Sequence, residues 1–203
     1  MQTQTKESQQ GLSPQDAYNM LVEGNKRFVQ NVKAQRNLLS QVSATSTGQY
    51  PFAVVLSCID SRVPAELVFD QGIGDIFSAR VAGNIVNEDM LGSIEYGCKV
   101  AGSKIIVVLG HTKCGAVTAA CKGVELGNIT PLLAKIQPAV NKVRTTHPEV
   151  NETSIEKTVV VNVEMTMDRM RAESPILAEM EKNGEIKIVG AVYSVATGAV
   201  EFL

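Results

Sequence analysis

The sequence predicts an α/β fold, a mainly parallel sheet covered by helices on both faces and preceded by a helical arm. Three observations lead there. Apolar, β-branched runs alternate with helix-period segments across residues 50–200, which is the pattern of strand–helix–strand crossovers. Two of the runs, Phe52-Ala53-Val54-Val55-Leu56 and Ile105-Ile106-Val107-Val108-Leu109, are apolar without interruption, as expected for strands buried on both faces. Each is followed closely by a short segment of reactive side chains, Cys58-Ile59-Asp60-Ser61-Arg62 and His111-Thr112-Lys113-Cys114. In open α/β sheets the carboxyl ends of strands are where sites are built.

Taken in order, residues 1–11 are polar and unpatterned and read as a disordered or extended arm. Ser13-Pro14-Gln15-Asp16 offers an N-cap, a proline in the first turn and an acidic residue three after the cap, which starts a helix. Ala17, Met20, Leu21, Gly24 and Phe28 follow at helical spacing. A second helix is expected over residues 31–46, carrying Val32, Leu38, Leu39 and Val42. After the first strand come a short helix at residues 64–69, a turn at Gly72-Ile73-Gly74, and a strand near residues 75–81. Residues 87–102 read as a helix ending at Gly102. Beyond the second buried strand, helices are expected after Cys114, across residues 131–144 with an interruption at Pro138, and across residues 149–171. Ser174-Pro175 starts another, which ends at Asn183-Gly184, and residues 185–195 with 199–203 form a strand and hairpin turning at Thr197-Gly198. No linker rich in Pro, Gly or Ser divides the chain, so residues 1–48 read as a polar tail and helical arm attached to one α/β domain, 49–203.

Composition narrows the function. The 203 residues carry a net charge of −2 with no tryptophan, and no basic block is present to track a phosphate backbone, which speaks against nucleic acid as a partner. The first ten residues lack the apolar core of a signal peptide, and no stretch reaches the roughly 18 apolar residues a membrane span needs. The chain is therefore expected to be cytoplasmic and without a membrane partner. In that compartment the four cysteines, 58, 98, 114 and 121, read as metal ligands or reduced core thiols and not as disulfides.

Cys58, His111 and Cys114 are the candidate metal ligands. Two thiolates and an imidazole suit zinc, and a Cys2His set with one open position is a catalytic arrangement. An iron–sulfur cluster would want four cysteines, and redox pairs usually lie as Cys-x-x-Cys. Asp60 is either a fourth ligand or the acceptor for a metal-bound water. Arg62 can hold its carboxylate with two hydrogen bonds, so the pair reads as a gate: with Asp60 on the metal the site is closed, and with Asp60 on Arg62 a water enters whose pKa falls to about 7. A permanently closed structural zinc site, a loop-stabilising Asp/Arg pair and a Cys58/Cys114 redox sensor remain alternatives. Cys98 and Cys121 read as core thiols, and His147 as a solvent-exposed loop residue.

Cys58-x-Asp60-x-Arg62 followed by His111-x-x-Cys114-Gly115 resembles the signature of the β-class carbonic anhydrases. The likeness continues through Ser61-Arg62-Val63-Pro64, Arg80-Val81-Ala82-Gly83-Asn84 and Ser93-Ile94-Glu95-Tyr96, covering residues 49 to about 123 closely. The resemblance implies Zn²⁺ on Cys58, His111 and Cys114, an Asp60–Arg62 dyad controlling the fourth position, and reversible hydration of CO2 to bicarbonate and a proton by attack of zinc-bound hydroxide. It also implies a four-stranded parallel core with an antiparallel edge strand, and a homodimer, often paired into a homotetramer, whose arms embrace the partner. Gln49, nine residues before Cys58, stands where plant-type members place a substrate-binding glutamine, the alternative being a plain polar surface residue. Some bacterial members hold inhibitory bicarbonate with a tryptophan three residues before the first cysteine and an arginine 22 after it. Here those positions are Val55 and Arg80, and Arg80 alone does not reproduce that pocket. The motifs do not separate CO2 from analogues such as carbonyl sulfide or carbon disulfide.

Overall fold

β1 (Ala53–Ser57) and β3 (Ile105–His111) lie side by side in parallel register and are buried along their whole length. The computed structural model describes residues 1–203, and in it these two strands form the middle of a five-stranded sheet of order β2-β1-β3-β4-β5. β2 (Ile76–Arg80) pairs with β1 and β4 (Lys187–Tyr193) with β3, both parallel, while β5 (Val200–Phe202) is antiparallel to β4. The parallel core and antiparallel edge expected from the resemblance are therefore present. β1 passes on to β2 on one side and β3 to β4 on the other, so the order reverses between β1 and β3. A crevice opens at their carboxyl ends, as at the switch point of a doubly wound sheet.

The period of two along the strands divides the core. Ala53, Val55, Ile105, Val107 and Leu109 face α2 (Pro14–Val29) and α4 (Ala65–Val68), packing with Ala17, Leu21 and Phe69. Val54, Leu56, Ile106 and Val108 face the opposite way, toward Leu91 and Ile94 of α5 (Glu88–Glu95), Val163 and Met170 of α9 (Glu152–Glu173) and Leu177 of α10 (Pro175–Lys182). A third apolar cluster forms round Cys58 and Cys114. It is built from Val117 and Ala120 of α6 (Gly115–Cys121), Leu133 of α7 (Ile129–Ala134) and Val140 of α8 (Gln137–Arg144).

Four local expectations are corrected. Residues 1–11 are not all irregular: α1 (Lys6–Gln10) forms on a reciprocal cap between Thr5 and Ser8, and the buried Gln9 amide donates to the carbonyls of Pro51 and Ala101, each at 2.7 Å. The helix expected over 31–46 shrinks to α3 (Leu38–Ala44), because Asn31 takes a positive φ of 56° after α2 and the backbone of Ala34 is drawn to Asp70. Val32, Leu38, Leu39 and Val42 then stand exposed. The helix over 87–102 loosens after Glu95 into a π turn at Tyr96–Val100. The break between α7 and α8 falls before Pro138, which sits in the first turn of α8 where a missing N–H does no harm. No helix is long and apolar enough to cross a membrane.

Candidate metal centre

The register of the sheet assembles the site. Ser57 lies opposite Leu109, so Cys58 and His111 leave the same edge of neighbouring strands within two residues of each other. Cys114 then caps the N-terminus of α6. The Sγ atoms of Cys58 and Cys114 and a ring nitrogen of His111 lie within 4.8 Å of one another, and all three residues are buried.

Each ligand is aimed by its surroundings. His111 Nδ1 lies 2.9 Å from the carbonyl of Thr112, and since a carbonyl only accepts, Nδ1 carries the proton and the Nε2 lone pair points inward. Nε2 is fully buried without a hydrogen-bond partner, so its lone pair suits a cation held between the three side chains. Lys113 adopts a positive φ of 56°, its N–H donating to Glu156 Oε1 at 2.8 Å, and this tight turn returns the chain so that Cys114 faces His111. Thr112 is tied to the end of β4 by its N–H to the Tyr193 carbonyl and by the Val195 N–H to its hydroxyl.

Two thiols so close share their ionisation. The neighbouring Cys114 thiol pulls Cys58 down to about 4, against the opposing effect of burial, while the Cys58 thiolate pushes Cys114 above the usual thiol range. The amides of Ala116 and Val117 at the start of α6 favour a Cys114 thiolate, and Gly83 N–H does the same for Cys58 at 3.4 Å from Sγ. A pair of sulfurs surrounded by N–H donors, with a buried imidazole lone pair beside them, fits a soft divalent cation such as zinc.

Asp60 and Arg62 sit at the mouth. Arg62 Nε and Nη2 bond the two Asp60 carboxylate oxygens at 2.9 and 2.7 Å, and the Arg62 backbone N–H adds a third bond at 2.9 Å. These bonds, the guanidinium first, hold Asp60 well below the usual carboxylate range. Asp60 Oδ2 is 3.9 Å from His111 Nε2, so the carboxylate faces the three ligands without joining them. Arg80, reaching in from β2, donates to the carbonyls of Cys58 at 3.0 Å and Asp60 at 2.7 Å. Its Nε and Nη2 are thus committed to the loop, and Val55 is wholly buried in β1, so the two do not line a common pocket. The loop-holding part played by Arg80 has no signal in its spacing, since parallel register alone puts it opposite Ser57. Gln49 is exposed and lies before β1, at the end of the sheet away from Cys58.

The family model for carbonic anhydrase matches residues 53–200. The chain belongs to the carbonic anhydrase family. It is 34% identical to carbonic anhydrase 2 of Mycobacterium tuberculosis, the match covering 92% of this chain and 91% of that protein. It is also 34% identical to the carbonic anhydrase of Mycolicibacterium smegmatis, with 93% of each covered. Among solved structures, the β-carbonic anhydrase CcaA superposes with a TM-score of 0.74 at 25% identity over 92% of this chain and 91% of that one. The Coccomyxa β-carbonic anhydrase, solved in complex with acetazolamide, gives 0.74 at 27% identity over 90% and 84%. The protein is thus a carbonic anhydrase of the β class, a family that interconverts CO2 and bicarbonate. Cys98, pushed up to about 12 by burial, and Cys121, beside Thr158, lie in the apolar interior. His147 bonds Thr146 and Lys157 in a surface loop.

Proposed function

We propose that the protein hydrates CO2 reversibly at a zinc ion held by Cys58, His111 and Cys114, with Asp60 and Arg62 controlling access to its fourth position. The observation that carries this reading is the division of labour at the site: three buried ligand atoms converge while the one nearby carboxylate is turned to Arg62. Zinc bound there supplies the Lewis acidity that lets water ionise near neutral pH. The protein supplies orientation. Ionised and acceptor-only, Asp60 takes the hydrogen bond of the attacking water and so fixes the direction of its remaining lone pair, and Arg62 keeps Asp60 from occupying that place itself. A permanently closed structural site is disfavoured by the same bidentate pair, which holds the carboxylate off.

A homodimer completes the site. The outer edge of β2 carries no strand, and Phe77, Met90 and Tyr96 line an open groove beside it. Two copies related by a two-fold axis pair such edges antiparallel. Gln49 and Cys58 flank β1, whose five residues span about 16 Å, so Gln49 does not reach its own metal site. Across the antiparallel edge the partner's Gln49 comes to the Cys58 end, where its amide can hold substrate. The exposed Val32, Leu38, Leu39 and Val42 give the arm an apolar face to lay on the second copy; a tetramer is a further pairing of such dimers.

Metal analysis with stopped-flow hydration of CO2, run beside carbonyl sulfide and carbon disulfide, tests the proposal. One zinc per chain with CO2 turnover at alkaline pH is expected; full zinc occupancy without CO2 hydration would sink it.

A further inference from the structure

Gly83 sits in the 3₁₀ turn Ala82–Asn84 that follows β2, with a positive φ of 71°. Its N–H points at Cys58 Sγ, 3.4 Å away and buried. A Cβ at this position would meet Ile136 Cδ1 at 2.6 Å, so both the backbone conformation and the space call for glycine. The carbonyl of the same residue accepts a hydrogen bond from Asn162 Nδ2 at 2.9 Å, buried. Asn162 projects from the middle of α9 and is only 3% exposed. A carbonyl cannot donate, so the amide nitrogen must face it and the orientation of the side chain is settled by its partner.

We infer that Asn162 is a positioning residue for the metal: it holds the Gly83 peptide so that its N–H stays on the Cys58 sulfur. The inference rests on the zinc reading of the Cys58, His111 and Cys114 site. A carboxamide in a core helix, among Val159, Val163 and Thr158 on neighbouring positions, is expensive to bury unless its hydrogen bonds are made. Any hydrophobic residue of that size would serve packing alone. What Asn162 adds is a fixed peptide plane. Without it the Gly83 peptide, in a turn closed otherwise only by the Asn84 N–H on the Val81 carbonyl, loses the bond that fixes its plane toward sulfur. An N–H bond to sulfur fixes the direction of its lone pairs, and loss of such outer partners typically weakens metal binding 10- to 100-fold. The three ligands themselves carry no sign of this dependence, because Asn162 lies 104 residues from Cys58 in the chain.

The test uses the full-length holoprotein. Zinc affinity, measured by competition with a chromophoric chelator, is expected to fall between about 10- and 100-fold in Asn162→Leu, and to stay within twofold of the parent in Thr166→Val, a substitution at a buried site one turn along the same helix. If Asn162→Leu does not fold, Asn162→Ser takes its place with the same expectation. In the unmodified protein loaded with ¹¹³Cd, a scalar coupling across the hydrogen bond is expected between the metal and the Gly83 amide proton. Wild-type affinity in the Asn162 variant, or equal losses in both helix variants, overturns the proposal, as does an absent Gly83 coupling in a cadmium-loaded protein. Wild-type protein that takes up neither metal overturns the zinc reading and this inference with it.

Discussion

At the scale of single residues, the site depends on a few atoms whose partners are fixed. Asp60→Asn keeps the size of the side chain but removes the ionised acceptor and the charge paired with Arg62. Metal content is expected to stay at the parent value while CO2 hydration falls at least 100-fold, the usual worth of a positioned proton acceptor; loss of metal in this variant would instead mark Asp60 as a structural ligand. Gly110 precedes His111 at a place where a Cβ would stand 2.7 Å from Val163 Cγ2 and 3.1 Å from Val159 Cγ1. Gly110→Ala therefore has to push α9 off the sheet, and a loss of about 1–3 kcal/mol is expected in chemical denaturation. Cys58, Asp60, Arg62, His111 and Cys114 were all readable as a set, because reactive side chains stood at the ends of apolar runs. Arg80, Glu156 and Gly83 were not readable as supports of that set. They act through backbone carbonyls and amides, and a backbone partner leaves no mark on residue type.

The elements are governed by their caps and breaks. Ser174 ends α9 and caps α10 at once, its hydroxyl accepting from Leu177 N–H at 3.2 Å while donating to Glu95, and it is fully buried. Ser174→Ala removes the cap and leaves that amide and the Glu95 carboxylate short of a partner, so a loss of about 2 kcal/mol is expected, at the upper end for an N-cap. Melting of the variant against the parent checks it. The Ser13, Asn183 and Ser174 boundaries were legible because proline, glycine or asparagine stood beside them. The Thr5 cap of α1 was missed because its reciprocal partner is Ser8, where the familiar signal is Glu or Gln. α3 came out shorter than its apolar residues suggest because Asn31 turns the chain with a positive φ and Asp70 holds the Ala34 backbone N–H outside the helix. Apolar periodicity reports a helical tendency, and a local turn held by Asp70 overrides it here.

Over the whole molecule, Asp70 ties the arm to the domain. It takes Arg27 from α2, Arg36 and the Ala34 N–H, with its own side chain almost completely buried. Burial pushes its pKa up, but the two arginines outweigh that and the net shift is downward. A depressed carboxylate contributes stability that is present above its unfolded value, about 3.9, and is lost as pH falls through the folded value. Asp70→Asn should then cost about 3 kcal/mol near pH 7, the range for stranding a buried partner such as Arg36. The deficit against the parent should narrow below about pH 4. Asparagine also tolerates the positive φ of 45° at this position, so denaturation at both pH values isolates the charge.

The proposed dimer makes its own prediction at this scale. If Gln49 serves the partner's metal site, Gln49→Ala and Asp60→Asn subunits, each poorly active alone, should regain activity when unfolded together and refolded as mixed dimers, since one of the two sites then has both residues. No recovery on mixing would rule out a role for Gln49 across the dimer.

The sequence by itself determined the alternation of strands and helices beyond the arm, the buried character of β1 and β3, and the candidate ligand set, because each is written in residue type at short range. Tertiary structure alone decided that Cys58 comes within a residue of the level of His111, that Asp60 turns to Arg62 while still facing the candidate ligands, and that Arg80, Glu156 and Asn162 hold the backbone behind them. Those outcomes depend on strand register and on which helix lies against which loop, and long-range pairing of that kind follows from the packing of the whole core.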